Sequence, residues 1–255
     1  MIECYNPFSL SKKNFLVTGA ASGIGRATSI VLSRLGAKLI LCDINEVGLE
    51  ITKSYCGVGC IVVPIDLCDT ASIKLRICDT ILSFGKLHGF VHLAGRAYIS
   101  PLKSITECKC KETFTINAFA ALELAKTFID RNVYAGEKGS IVLVSSVYGV
   151  VGSAANVAYA MSKSALHGVT KSLAIELAGK GIRVNCVAPG FVRTNMLDTA
   201  SDMFDAGYSE TLNKLHPLGV GDPEDVSYAI AYLLSDAAKW VTGSILNIDG
   251  GFTAQ

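Results

Sequence analysis

Seven short apolar runs, alternating with longer segments of helical period, constrain this chain more than any other feature. The runs fall at 14–18, 38–42, 60–65, 90–94, 140–145, 183–188 and 244–248. Most are continuously apolar rather than alternating, the pattern of strands buried on both faces. Between them apolar residues recur at helical spacing: Ile24, Ala27, Val31, Leu32 and Leu35 in one segment, Ile73, Ile77, Ile81 and Phe84 in another. Segment 105–131 reads as one long helix, 156–178 as another and 223–235 as a shorter one. Asp222-Pro223-Glu224 opens the last with an N-cap, a proline at the first helical position and an acid in the first turn. Such alternation predicts an α/β fold, a doubly wound parallel sheet with helices on both faces. The 255 residues suit a single domain over 1–255. One stretch, 191–216, breaks the alternation. It lies between a strand and the next helix, where inserts at the carboxyl edge of a parallel sheet meet ligands, and it reads equally as a helical surface excursion.

Composition excludes several classes. Half the residues are apolar and 18% are charged, so the chain is not disordered. The 24 glycines follow no triplet period, which excludes collagen. A formal net charge of +1, from 23 basic and 22 acidic residues, points to neither nucleic acid nor an anionic membrane as partner. The nine cysteines are odd in number and lack C-x-x-C spacing, and the four histidines do not cluster with them. Buried, reduced thiols are expected, with no metal site. Residues 1–10 hold no basic segment followed by an apolar run, and no unbroken apolar stretch reaches about 18 residues, so a soluble cytoplasmic protein is expected.

The first strand runs directly into Thr18-Gly19-Ala20-Ala21-Ser22-Gly23-Ile24-Gly25, and a helix follows. Glycines at such a turn let the backbone approach a pyrophosphate, which then sits on the helix N-terminus. The spacing is G-x-x-x-G-x-G, not the general G-x-G-x-x-G fingerprint. The second strand ends at Asp43, 18 residues after Gly25. An acid there can accept from the adenosine ribose hydroxyls and would repel a 2′-phosphate, which favours NAD over NADP while leaving NADP possible. Capping the following helix is the other reading of Asp43. Arg26 can reach a phosphate from the helix, or be a solvated surface residue.

Downstream, Ser146 ends the fifth apolar run, and Tyr159 and Lys163 follow on one helical face, a turn apart. A phenol titrates near 10 when unperturbed, and a neighbouring ammonium lowers that value, so Tyr159 becomes a candidate general acid or base. Such pairs also arise by chance on many helices. Asn117 adds to the pattern as a polar residue amid Phe114, Ile116, Ala118 and Phe119, and Ala188-Pro189-Gly190 with Thr194 follows the sixth run.

From about 14 to 251 the chain resembles the short-chain dehydrogenase/reductase family. The motifs are the 18–25 turn, Asp66, Leu93-Ala94-Gly95, Asn117, Ser146, Tyr159-x-x-x-Lys163, Pro189-Gly190 and Asp249-Gly250-Gly251. The resemblance implies a seven-stranded Rossmann-type sheet, a nicotinamide cofactor, a small-molecule substrate and a homotetramer or dimer. By position it implies Tyr159 as proton donor or acceptor, with Ser146 holding the substrate oxygen as charge develops. Lys163 would hold the nicotinamide ribose and depress the pKa of Tyr159, and Asn117 would hold a water linking the lysine to solvent. Gly19, Ser22, Gly23, Ile24 and Gly25 would cradle the pyrophosphate, and Asp66 and Leu67 would flank the adenine. Ala94 and Gly95 would let the cofactor pass, and Pro189, Gly190, Val192 and Thr194 would hold the carboxamide.

Two departures from the family pattern stand out. His92-Leu93-Ala94-Gly95 replaces the common Asn-Asn-Ala-Gly, so altered local packing is expected, with His92 a satisfied core histidine. The chain is most similar to the 3-oxoacyl-acyl-carrier-protein reductase group, whose members commonly use NADPH and dock an acidic carrier on basic residues. Here Glu137 stands at one of those basic positions, although Lys180 keeps the other. The expected activity is hydride transfer between a nicotinamide and a secondary alcohol or ketone. An NADPH-dependent carrier-protein reductase and a non-catalytic dinucleotide-binding scaffold are the alternatives.

Overall fold

The computed structural model describes residues 6–194, 196–197 and 208–255. Seven strands form one parallel sheet: β1 (Asn14–Thr18), β2 (Lys38–Asp43), β3 (Cys60–Pro64), β4 (Gly89–His92), β5 (Gly139–Val144), β6 (Ile182–Pro189) and β7 (Ile245–Ile248). Their order is β3-β2-β1-β4-β5-β6-β7. The chain reverses its direction of winding between β1 and β4, where Phe15 pairs with Gly89 and Thr18 with His92. A crevice opens at such a switch point, beyond the carboxyl ends of the strands.

Both sheet faces are buried, as the continuous apolar runs require. Leu16, Ile40, Phe90, Ile141 and Val184 enter one core, under helices α3 (Thr70–Phe84), α5 (Ala120–Phe128) and α6 (Val157–Ala178). Their chain neighbours Phe15, Val17, Leu39, Leu41, Val91 and Val142 enter the other, under α1 (Gly23–Arg34), α2 (Glu46–Cys56) and α8 (Pro223–Leu234). Among the described residues, α4 (Glu107–Phe114) and α7 (Tyr208–Leu215) are also helical.

Three expectations are refined. The single helix foreseen over 105–131 is two α-helices joined through a π-helical turn, Thr115–Phe119, which holds Asn117. Ser146 lies just past the end of β5 and caps a short 3₁₀ turn, its Oγ accepting the Tyr148 amide at 3.2 Å. The helix expected after Asp43, given no bounds from the sequence, is α2, and it begins at Glu46. Part of the expected insert at 191–216, namely 195 and 198–207, lies outside the described residues. No described helix is long and apolar enough to cross a membrane, and the described residues hold no metal-sized cluster of His, Cys, Asp and Glu. Cys42, Cys56, Cys60 and Cys186 are buried free thiols.

Candidate active site

The glycine turn is built by close approach. A Cβ on Gly19 (φ +68°) would lie 2.8 Å from the Ala94 amide nitrogen, and one on Gly25 would lie 1.9 Å from the Gly19 carbonyl oxygen. Gly23 (φ +49°) faces Thr194, whose Cγ2 would be 3.2 Å from a Cβ there. The segment after β6 therefore comes down over the turn after β1. Ser22, the N-cap of α1, makes no side-chain cap, and no acid occupies the first turn of that helix. Its terminal amides are thus left to an anion. These residues fit a dinucleotide pyrophosphate.

Asp43 borders the glycine turn. Its Oδ2 accepts the Ala21 amide at 3.2 Å and its Oδ1 the Asn45 amide at 3.0 Å. The cap of α2 is Asn45, which accepts from the Gly48 amide at 3.0 Å, so helix capping is not the task of Asp43. A carboxylate has about four acceptor positions, and two remain. Arg26 does neither thing the sequence suggested. Its guanidinium donates to the carbonyl of Ala21, and its Nε to Thr52 Oγ1 at 3.0 Å. It ties the glycine turn to α2 rather than facing a phosphate. Asp66 is exposed at the end of β3 and accepts the Cys68 amide at 2.8 Å, while the Leu67 side chain is buried in the core.

At the β4 end one hydroxyl organises the strand terminus. Thr18 Oγ1 accepts the amides of Leu93 and Ala94, both at 3.1 Å, and lies 3.1 Å from His92 Nδ1. His92 Nε2 lies 3.0 Å from the Ile116 carbonyl. A carbonyl only accepts, so Nε2 carries the proton and Nδ1 accepts from Thr18. His92 is 1% exposed, and burial, with the nearby Lys163 charge, pushes its pKa down to about 3. It is a satisfied core histidine that ties β4 to the π-helical turn.

That link predicts a pH effect. Below pH 6.5 the unfolded chain takes up a proton at His92 that the folded chain refuses. Stability therefore falls as pH drops from 6.5 towards 3, by roughly 2 kcal/mol at pH 5. His92→Asn removes the titration, so urea midpoints of the variant should fall less between pH 7 and 5. Equal slopes in the two proteins would disprove it.

The π-helical turn brings Asn117 into the site fully buried. Its Oδ1 accepts the Arg96 amide at 2.8 Å, and its Nδ2 donates to the Arg96 carbonyl at 3.0 Å and to Ser162 Oγ at 2.9 Å. Both donors are used, and one acceptor position is left. A Cβ on Gly95 would lie 3.0 Å from Asn117 Oδ1 and 3.3 Å from Lys163 Nζ, so both polar atoms face the space next to that glycine.

Lys163 is 5% exposed, donates to the Val144 carbonyl at 2.8 Å, and has its pKa pushed down to about 8 by burial. Its Nζ lies 5.8 Å from the centre of the Tyr159 ring. Ser145 holds this helix in place, donating to the Lys163 carbonyl at 2.8 Å. Tyr159 corrects an expectation. Burial raises its pKa above the ordinary phenol value, hydrogen bonding from Ser146 pulls it down, and nearby Tyr148 raises it further. The lowering expected from Lys163 is absent because that ammonium is turned toward Val144. Ser146, Tyr159 and Lys163 nevertheless converge, with Asn117 behind the lysine.

Pro189 and Gly190 end β6, and the Gly190 amide donates to Ile248 at 2.9 Å. A Cβ on Gly190 would meet Asp249 Cα at 2.8 Å. Val192 bridges to Gly221 and is buried, and Thr194 Oγ1 donates to the Val192 carbonyl at 3.2 Å. Sequence reasoning missed Tyr148, Phe191, His216 and Phe252, whose rings meet beside Ser146. The one signal available was two aromatics adjoining motif residues.

Comparison with known proteins now decides the family. Residues 19–253 match the family model described as enoyl-(acyl carrier protein) reductase. A 2,5-dichloro-2,5-cyclohexadiene-1,4-diol dehydrogenase of Sphingobium indicum is 38% identical over 247 residues, 96% of this chain and 98% of that one. The chain belongs to the short-chain dehydrogenase/reductase family. A 3-oxoacyl-[acyl-carrier-protein] reductase of Thermotoga maritima is 35% identical, covering 95% of this chain and 98% of its own. Among solved structures, 4-hydroxyisoleucine dehydrogenase complexed with NADH superposes with a TM-score of 0.88 at 30% identity, over 96% of this chain and 100% of that one. A Beutenbergia cavernae protein assigned as an NAD(P)-dependent gluconate 5-dehydrogenase, with NADP at low occupancy, gives 0.90 at 32%, over 98% and 100%. As a short-chain dehydrogenase/reductase, the chain is an NAD(P)-dependent oxidoreductase acting on CH–OH groups and the matching carbonyls, on a Rossmann-type fold.

Proposed function

We propose that Tyr159 is the general acid and base of this oxidoreductase and that its preferred cofactor is NAD. The observation that carries the catalytic reading is the convergence of Ser146, Tyr159 and Lys163, with Asn117 Oδ1 and Lys163 Nζ both close to Gly95. The nicotinamide supplies the hydride acceptor or donor. In alcohol oxidation the substrate hydroxyl proton passes to Tyr159 Oη, and in reduction it returns from there. The Ser146 hydroxyl donates to the same substrate oxygen and stabilises the charge that develops on it. Lys163 keeps donors beyond the one given to Val144 and holds the ribose hydroxyls. The acceptor position left on Asn117 suits a water between the lysine and solvent.

The NAD preference rests on Asp43, which keeps acceptor capacity beside the glycine turn, and on Arg26, which is engaged with the loop and not with a 2′-phosphate. Titration of the protein with NAD(H) and NADP(H) tests it. Asp43→Ala should weaken NAD(H) about tenfold or more, the scale of hydrogen bonds to a charged group, and remove the discrimination against NADP(H). Tighter NADP(H) binding by the unaltered protein would reverse the assignment. Activity itself is tested with a panel of secondary alcohols, keto sugars and β-ketoacyl thioesters.

The buried free thiols suit a reducing, cytoplasmic setting. A homotetramer or dimer would cover Trp240 and Ile175, which are 97% and 81% exposed. Light scattering measures that state directly.

A further inference from the structure

Three aromatic side chains stand beside the catalytic residues with no part in the roles above. Tyr148 and Phe191 have ring centres 5.7 Å apart and planes at 86°, forming a corner. Phe252 continues it, 6.2 Å from Phe191 and 6.5 Å from Tyr148. All three rings are partly exposed. The corner joins the catalytic group directly. The Tyr148 amide donates to Ser146 Oγ at 3.2 Å, and its phenol lies near enough to Tyr159 to raise the latter's pKa. Phe191 follows Gly190 at the carboxyl end of β6.

The corner is held from behind. His216 is 1% exposed, with its ring 5.5 Å from Phe191 and 4.9 Å from Phe252. Its Nε2 accepts the Phe191 amide at 3.2 Å, and its Nδ1 donates to the Leu212 carbonyl at 2.7 Å. Phe252 is fixed by Asp249, which accepts the Gly251 amide at 3.0 Å, the Thr253 amide at 2.9 Å and the Thr253 hydroxyl at 2.6 Å. A wall fixed in this way is preorganised and need not be ordered when a ligand arrives.

Among the described residues, the charged side chains that first follow β4, β6 and β7 are engaged by partners of their own. Asp249 is consumed by its own turn, Arg193 is paired with Asp222 at 2.7 Å, and Arg96 with Glu112 at 3.2 Å. A carboxylate or phosphate set against aromatic rings would lose water without gaining a partner. A flexible chain would lose rotational freedom in each bond the corner fixes, whereas a ring has already lost it. We propose that the substrate is an uncharged cyclic secondary alcohol, or its ketone. It packs one face on Phe191 and Phe252 and one edge on Tyr148, with its oxygen on Ser146 and Tyr159. The proposal rests on the catalytic reading above and names the substrate class for it.

The test compares cyclohexanol with 2-hexanol, which has the same carbon count, in the presence of NAD. Xylitol, and acetoacetyl thioester with NADH, extend the panel. Cyclohexanol should exceed 2-hexanol in kcat/KM by ~10-fold, the scale of one aromatic stacking contact plus the saved rotational entropy. Phe252→Leu and Tyr148→Leu keep bulk but lose the flat face, and each should bring the ratio close to one. Calorimetry of cyclohexanone binding to the enzyme–NAD⁺ complex, which has no hydride to give, provides a readout without turnover. Binding should weaken several-fold in both variants while NAD⁺ affinity and Tm hold. Equal or better turnover of 2-hexanol, xylitol or the thioester overturns the proposal, as does cyclohexanone affinity indifferent to both substitutions. If no probe turns over but cyclohexanone still binds the unaltered complex and not the Leu variants, the catalytic reading fails and the ring site stands.

Discussion

Tyr159→Phe is expected to lower turnover by roughly 10²–10⁴-fold, the range associated with loss of a general acid or base, while leaving dinucleotide binding unchanged. The substitution keeps the ring and its packing and removes only the hydroxyl that Ser146 bonds. Neither nearby base is placed to replace it. Lys163 Nζ is turned to the Val144 carbonyl, and His92 is closed off between Thr18 and Ile116. The unaltered enzyme should also show the state of that hydroxyl in its pH profile. Burial holds the phenol above its usual range, so it is protonated at neutral pH. Ketone reduction, which needs the acid form, should then be near its plateau at neutral pH, and alcohol oxidation, which needs the base, should climb with pH into the alkaline range. Steady-state rates in both directions, with fluorescence titration of NADH, check the set. Unimpaired turnover in the Phe variant would remove Tyr159 from the mechanism.

The same residue marks where reading the sequence stops. That Tyr159 and Lys163 share a helical face follows from their spacing alone. Whether the ammonium acts on the phenol depends on which way Nζ points, and that is decided by the Val144 carbonyl on another element. The sheet was legible because strands covered on both faces must be apolar throughout, as Leu39, Ile40, Leu41 and Cys42 of β2 are. The extent of α2 was not, because it buries only Gly48, Leu49, Thr52 and Cys56, too sparse a stripe to show a period. The π-helical turn was invisible too, since it changes the hydrogen-bond register within an unbroken apolar pattern, yet its consequence, a buried Asn117, stood out as an anomaly. Arg26 was misread because composition gives a charge its sign and not its direction. The aromatic corner is assembled from the ends of β5, β6 and β7, and no local pattern reports such a meeting.

Gly25→Ala should be among the most damaging single methyl additions to this chain. In an ordinary helix the change favours folding by about 1 kcal/mol, because alanine has the better propensity. Here the added Cβ would sit 1.9 Å from the Gly19 carbonyl oxygen and 2.6 Å from its carbon. Both are backbone atoms, so no side chain can rotate away. Gly19 in turn cannot retreat, because its own Cα faces the Ala94 amide, where a Cβ would be 2.8 Å away. The first turn of α1 must then separate from β1, and the anion site at its N-terminus opens with it. A loss of about 3–5 kcal/mol is expected, the range of severe core disruption, together with loss of measurable NADH binding in whatever fraction folds. Gly168→Ala supplies the contrast. That glycine lies in α6, exposed, with nothing within 4 Å of a built Cβ, so the same methyl group should stabilise by about 0.5–1 kcal/mol. Urea unfolding of the two variants therefore gives opposite signs if backbone contact, not propensity, governs the turn. A Gly25→Ala protein as stable as the unaltered chain and still binding NADH would show that Gly19 and α1 are not packed against each other as described.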